Sequence, residues 1–204
     1  MATTQFVFFY GSAVDLESAS RTLGRPVQDA RYHYGSLSNM VRAWDVALDS
    51  GVDIPGYKFY RHPDGTRYNG YVAFVNIRPF DGPQWTNGIF IECTEAEIAR
   101  FDVRERSYVR TDVRDRVLRE DTPRGIKGVD LGSGPVWTYI GSDEAKARFK
   151  AGKRQQRLVV HRGYYDMIHR AFRSLGDAQY SQFLVSTEEV AHLCEDLERV
   201  DIPA

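Results

Sequence analysis

Hydrophobic positions along the chain fall into two regimes. Over the first two thirds they come as short, dense runs closed by Gly, Pro, Asn or Asp, the pattern of strands and turns. Gln5-Phe-Val-Phe-Phe-Tyr10 is aromatic and β-branched, so it predicts a buried strand, and Gly11-Ser12 stops it in a tight loop. Leu16 to Leu23 fits a short helix. Further strands are expected over 40–48, over 71–77 ending at Pro79, and over 88–93, 108–118 and 136–140. Thr94-Glu-Ala-Glu97 has the form of a capping box, with Ile98, Phe101 and Val103 as the apolar face of a short helix that ends just before Glu105. After the last strand the period lengthens. Tyr165, Ile168, Phe172 and Leu175 keep helical spacing, and Gly176 stands where a C-cap is expected. Asp177 opens a second helix carrying Tyr180, Phe183 and Leu184. Ser186 with Glu189 forms another capping box ahead of Val190, Leu193, Leu197 and Val200, predicting a third.

Strands first and helices afterwards predict an α+β domain: a small mixed β-barrel or curved sheet flanked by short helices, with helical cover from about residue 162. One domain over residues 1–204 is expected, because the length suits a single core and no break in composition divides it. Two segments read as connections. Residues 49–70 are rich in Gly, Pro, Asp and Tyr and predict a lid or binding loop. Residues 125–135 read as a hairpin connection, since their Gly132-Ser-Gly134 does not link a strand to a helix as a phosphate-binding fingerprint requires.

Composition narrows the function classes. Hydrophobic residues are 42% and charged residues 27%, ordinary globular usage, and the formal net charge of -1 argues against nucleic acid as a partner. Met1 to Gln5 lacks the basic start and apolar stretch of a secretory leader, and 6–10 is too short to span a bilayer, so a soluble, cytoplasmic protein without membrane partner is expected. Cys93 and Cys194 are far apart and read as small apolar residues. His33, His62, His161, His169 and His192 show no ligand spacing, so no metal is expected. In 104–124 acids interleave with the arginines, which suits a solvated strand face. The more one-sided basic run Lys146 to Arg157 reads as a solvated linker.

Two segments carry chemistry together: Phe9-Tyr10-Gly11-Ser12 after the first strand, and Phe101-Asp102-Val103-Arg104-Glu105 after a helix. Supported by Ala73-Phe-Val-Asn-Ile77, Gly88-Ile-Phe-Ile91, Tyr108-Val-Arg110, Thr138-Tyr139-Ile140 and the stretch Tyr165 to Thr187 in the same order, they resemble the gamma-glutamylcyclotransferase-like superfamily and its ChaC-type relatives over nearly the whole chain. The resemblance implies a cofactor-independent enzyme that converts a γ-glutamyl amine or peptide into 5-oxoproline and a free amine. Glu105 would be the catalytic general base and acid. Tyr10, Gly11, Ser12, Ala13 and Val14 would form the substrate-binding loop, and Tyr108, Tyr139 and Tyr165 would line the pocket.

That reaction needs a carboxylate. The substrate's own amine attacks its γ-carbonyl, so one group must take a proton from nitrogen and return it to the departing amine. Helix end and burial would raise the pKa of such a glutamate, while Arg104 and Arg106 would oppose this if they point inward. Ser12-Ala13-Val14 departs from the Ser-Asn-Leu or Thr-Leu continuation common in the family, and Arg106 stands where a glycine often follows the glutamate. These departures touch the substrate more than the reaction. A non-catalytic relative that binds a small molecule or a protein is the competing reading, and a homodimer is left open.

Overall fold

The computed structural model describes residues 4–118 and 130–203. β1 (Thr4–Phe9) is the middle strand of a five-stranded sheet, flanked on one side by β6 (Trp85–Thr94) and β2 (Tyr32–Ser38) and on the other by β8 (Val136–Gly141) and β7 (Tyr108–Asp112). It runs antiparallel to β6 and parallel to β8, so the sheet is mixed. Phe6 to Phe9 are all buried, as expected for a central strand covered on both faces, and this explains a run without polar alternation. The pairing is close. A Cβ at Gly88 of β6 would stand 2.1 Å from the Phe9 carbonyl oxygen.

A second sheet orders β10 (Cys194–Glu195), β9 (Leu158–His161), β5 (Tyr71–Pro79) and β3 (Met40–Asp49). β4 (Lys58–Arg61) and β11 (Glu198–Asp201) make a two-stranded antiparallel ribbon. With helices α1 (Leu16–Leu23), α2 (Glu95–Arg104), α3 (Asp143–Arg154), α4 (Arg162–Ser174) and α5 (Asp177–Val185), the architecture is α+β with mixed sheets, none of which closes into a barrel among the described residues. The main core joins β1, β5 and β6 to α2 and α4 through residues such as Phe8, Val75, Phe90, Phe101 and Phe172. A smaller cluster of Val46, Leu48, Val72, Phe74 and Val159 lies with Ala145 of α3 and Leu197. No helix of the described residues is long and apolar enough to cross a membrane.

Five readings of the sequence change, and β2 and β9 lie where no strand was expected. The strand expected over 108–118 stops at Asp112, whose carboxylate accepts from the backbone N–H groups of Arg114 and Val136 and turns the chain out of the ladder. The basic run 146–157 lies largely in α3. Ser142 caps that helix, and its buried face is built of small residues, Ala145 and Gly152, too weakly apolar to register as a stripe. The helix expected after Ser186 shrinks to one 3₁₀ turn, Ala191–Leu193. The Ser186 hydroxyl donates back to Phe183, while Cys194–Glu195 and Glu198–Asp201 are strands paired to β9 and β4. Residues 49–70, read as a loop, contain β4. Val103 is 67% exposed and not part of the apolar face of α2. Part of the 125–135 connection and of the 104–124 arginine stretch lies outside the described residues.

Candidate active site

Glu105 is placed by the helix before it. Thr94 accepts from the Glu97 N–H while the Glu97 side chain accepts from the Thr94 N–H, the full capping box, and Arg25 clamps the same glutamate at 2.5 Å. Ile98 and Phe101 bury the inner face of α2. The helix therefore starts and packs in a fixed way, and its C-cap residue, Glu105, is delivered to one place with its side chain 17% exposed. Burial holds the Glu105 carboxyl above the usual carboxylate range, against the lowering pull of Arg104 and Lys58.

Arg104 does point inward. Its Nε lies 3.2 Å from Glu105 Oε1, while its terminal nitrogens donate to Thr22 Oγ1, to the carbonyl and hydroxyl of Ser18, and to Ser12 Oγ at 2.9 Å. One guanidinium thus ties the carboxylate to α1 and to the loop after β1. Arg106 instead donates to the Pro55 carbonyl and lies 5.7 Å from the centre of the Tyr57 ring.

That loop begins at buried Tyr10 and turns through a 3₁₀ segment, Ser12–Val14, closed by the Val14 N–H on the Gly11 carbonyl. The Tyr10 carbonyl accepts from Arg42, a fully buried arginine whose other donors reach Asn87, Ser186 and Thr187 and whose guanidinium lies beside the stacked rings of Phe172 and Phe183, 4.6 and 4.9 Å from their centres. Burial lowers the Arg42 pKa to about 9. It is the joint between the loop and the carboxyl-terminal helices.

Tyr10, Gly11, Ser12 and Ala13 line a small recess of about 30 Å³ together with Glu105, Tyr108 and Tyr139. Val14 is buried behind it and does not line it. The Tyr10 hydroxyl donates to the Tyr139 carbonyl, and that of Tyr108 to the Val75 carbonyl at 2.7 Å. Tyr139 turns its own hydroxyl away, onto Asp102 at 2.8 Å. Burial raises the pKa of all three, so each stays a neutral phenol at neutral pH. Tyr165 is not in the recess. It stacks on Trp44 and His169 and faces Glu189, in a separate surface groove. Its neighbour Tyr164 takes the place at the site, with its hydroxyl 3.7 Å from where a Gly11 Cβ would sit.

The recess shares Ser12, Glu105, Tyr108 and Tyr164 with a larger open cleft of about 610 Å³. The far wall of this cleft is the β4 and β11 ribbon, which contributes Lys58, Tyr60, Arg199 and Asp201. Lys58 lies 4.6 Å from the centre of the Phe74 ring, and burial, with Arg199 close by, lowers its pKa to about 8.

No family model matches the chain, and no curated protein matches it. Solved structures do. A human protein described as uncharacterized, loc79017, superposes with a TM-score of 0.54 at 12% identity, over 92% of this chain and 94% of its own. YkqA from Bacillus subtilis gives 0.50 at 13% identity over 90% of this chain, which spans 54% of that protein. A yeast gamma-glutamyl cyclotransferase specific to glutathione gives 0.48 at 11%, covering 93% and 90%. The chain shares its fold with loc79017 and YkqA. At 11 to 13% identity the likeness is one of fold, and what those proteins act on stays with them.

Sequence reasoning missed Lys58, Arg42 and Tyr164 at this site. Lys58-Phe59-Tyr60 carries a short β signal that was submerged in a Gly- and Pro-rich stretch. Tyr164 and Tyr165 flank the same helical stripe, and spacing alone does not choose between them.

Proposed function

We propose that this chain catalyses the intramolecular aminolysis of a γ-glutamyl amide. The substrate's α-amine attacks its γ-carbonyl, the C–N bond to the leaving amine breaks, and 5-oxoproline and a free amine result. Glu105 takes the proton from the attacking nitrogen and returns it to the departing one. The observation that carries the reading is that Glu105, held above the usual carboxylate range by burial, shares one recess with the Tyr10 to Ala13 turn. A carboxyl nearer neutrality is a stronger base toward the attacking amine and, once protonated, stays protonated long enough to serve the departing one.

The turn supplies the other need. The first N–H groups of a 3₁₀ segment have no acceptor within it, and those at Ser12 and Ala13 would meet the oxygen that becomes negative during attack. Tyr10, Tyr108, Tyr139 and Tyr164 give the recess apolar walls that would hold the reacting end of the glutamyl chain in place. The reading needs no cofactor, and a cytoplasmic setting belongs to it.

The test is to incubate the purified protein with γ-glutamyl dipeptides and γ-glutamyl amines and measure 5-oxoproline by mass spectrometry. Glu105→Gln is expected to lower turnover by at least about 100-fold with the fold unchanged by circular dichroism. Undiminished turnover in that variant refutes the role of Glu105. Binding of the compounds without any 5-oxoproline makes the chain a ligand-binding relative.

A further inference from the structure

Beyond Glu105, the large cleft carries charge that the reaction does not use. Its walls hold Arg21, Arg199, Lys58 and Arg106 outside the Arg104 and Glu105 pair, against a single acid, Asp201. Two of the four cations are neutralised. Arg21 pairs with Glu17 at 2.6 Å, and Arg199 takes Asp201 at 2.6 Å. This second pair matters, because Asp201 stands directly opposite Lys58 in the ribbon register and would otherwise be its counter-ion.

Lys58 and Arg106 are left. Among the described residues neither forms an ion pair with a carboxylate within 4 Å. Both approach the Tyr57 ring, at 5.3 and 5.7 Å, so they mark one patch of the cleft. A half-buried ammonium held against two aromatic rings, with no carboxylate within 4 Å, is costly unless a ligand completes it. Packing alone gives no reason for it: a methionine would fill the same space.

We infer that Lys58, with Arg106 across Tyr57, forms an anion subsite that receives a carboxylate on the leaving-amine side of the substrate. This rests on the reading of Glu105 and the Tyr10 to Ala13 turn as the reaction centre. The recess at that centre is about 30 Å³ and takes only the reacting end of a glutamyl group, so the rest of the substrate, leaving amine included, lies in the cleft of about 610 Å³ into which it opens. The preferred substrates are then γ-glutamyl amino acids or peptides with a free carboxylate. A γ-glutamyl polyamine would bring a cation to two unpaired cations and is disfavoured.

The test uses binding, so that it does not depend on turnover. Glutaryl-alanine lacks the α-amine and cannot cyclise. Glutaryl-alaninamide lacks the leaving-side carboxylate, and butyryl-alanine lacks the glutamyl-side one. By calorimetry the unaltered protein should bind glutaryl-alanine about tenfold or more tightly than glutaryl-alaninamide. Lys58→Met should collapse that ratio to near one, and Lys58→Arg should retain most of it. Equal binding of the two probes, survival of the ratio in Lys58→Met, or no measurable binding of glutaryl-alanine overturns the subsite. So does a Lys58→Met effect confined to the glutaryl-alanine and butyryl-alanine ratio, which would give Lys58 to the glutamyl carboxylate. A preserved ratio without 5-oxoproline formation defeats the reaction and keeps the subsite, and turnover with no ratio does the reverse.

Discussion

Lys58 should be a liability to the folded protein, and the size of that liability follows from its surroundings. Its pKa falls from 10.5 to about 8, chiefly through burial, with Arg199 adding to the fall and Glu105 resisting it. At roughly 1.4 kcal/mol per pH unit this is about 3 kcal/mol of penalty for carrying the charge. Water in the open cleft screens part of it, so Lys58→Met is expected to stabilise by about 1–3 kcal/mol near neutral pH. The sign has a pH signature. Below about pH 8 both folded and unfolded chains hold the proton, and the folded state bears the whole penalty. Between about 8 and 10.5 the folded chain releases it while the unfolded chain does not, so the penalty shrinks. Above 10.5 both are neutral and only the difference in packing remains. Urea unfolding of both proteins should therefore show the full gain at about pH 7 and less than about half of it at about pH 9.5. A variant that is no more stable than the parent, or a gain that does not move with pH, would refute the placement of an unpaired, desolvated ammonium here.

Other perturbations test the neighbouring parts. Arg104→Gln removes the charge that lowers the Glu105 pKa, so the acid limb of the kcat/KM profile for 5-oxoproline formation should move to higher pH, while an unmoved limb would mean that Arg104 does not act on Glu105. Arg42→Lys cannot serve the acceptors at Tyr10, Asn87, Ser186 and Thr187 together, and a loss of about 2–4 kcal/mol is expected in denaturant unfolding. Gly88→Ala forces a methyl against the Phe9 carbonyl and should destabilise by about 3 kcal/mol or more, read as a fall in Tm, whereas Gly134→Ala, with open space around its Cβ, should change little.

The strands β1, β3, β5, β6 and β8, the α2 capping box and the position of Glu105 were legible because each depends on neighbours in sequence, whereas β2 and β9, short or polar runs, were not. A fully buried strand shows as an unbroken apolar run, and a capping box sets where a helix starts whatever it later packs against. The order of Tyr10-Gly11-Ser12 and Glu105 was visible for the same reason. Tertiary structure decided the rest. Glu198–Asp201 carries a helical signal on its own and becomes a strand because Lys58–Arg61, more than a hundred residues earlier, offers it a free edge. Lys58 acquires its meaning only there, since the ribbon turns its ammonium into the cleft and Arg199 takes away the acid beside it. Tyr164 rather than Tyr165 faces Gly11 because the packing of α4 sets its rotation, a matter of side-chain volumes in the core and not of spacing along the chain.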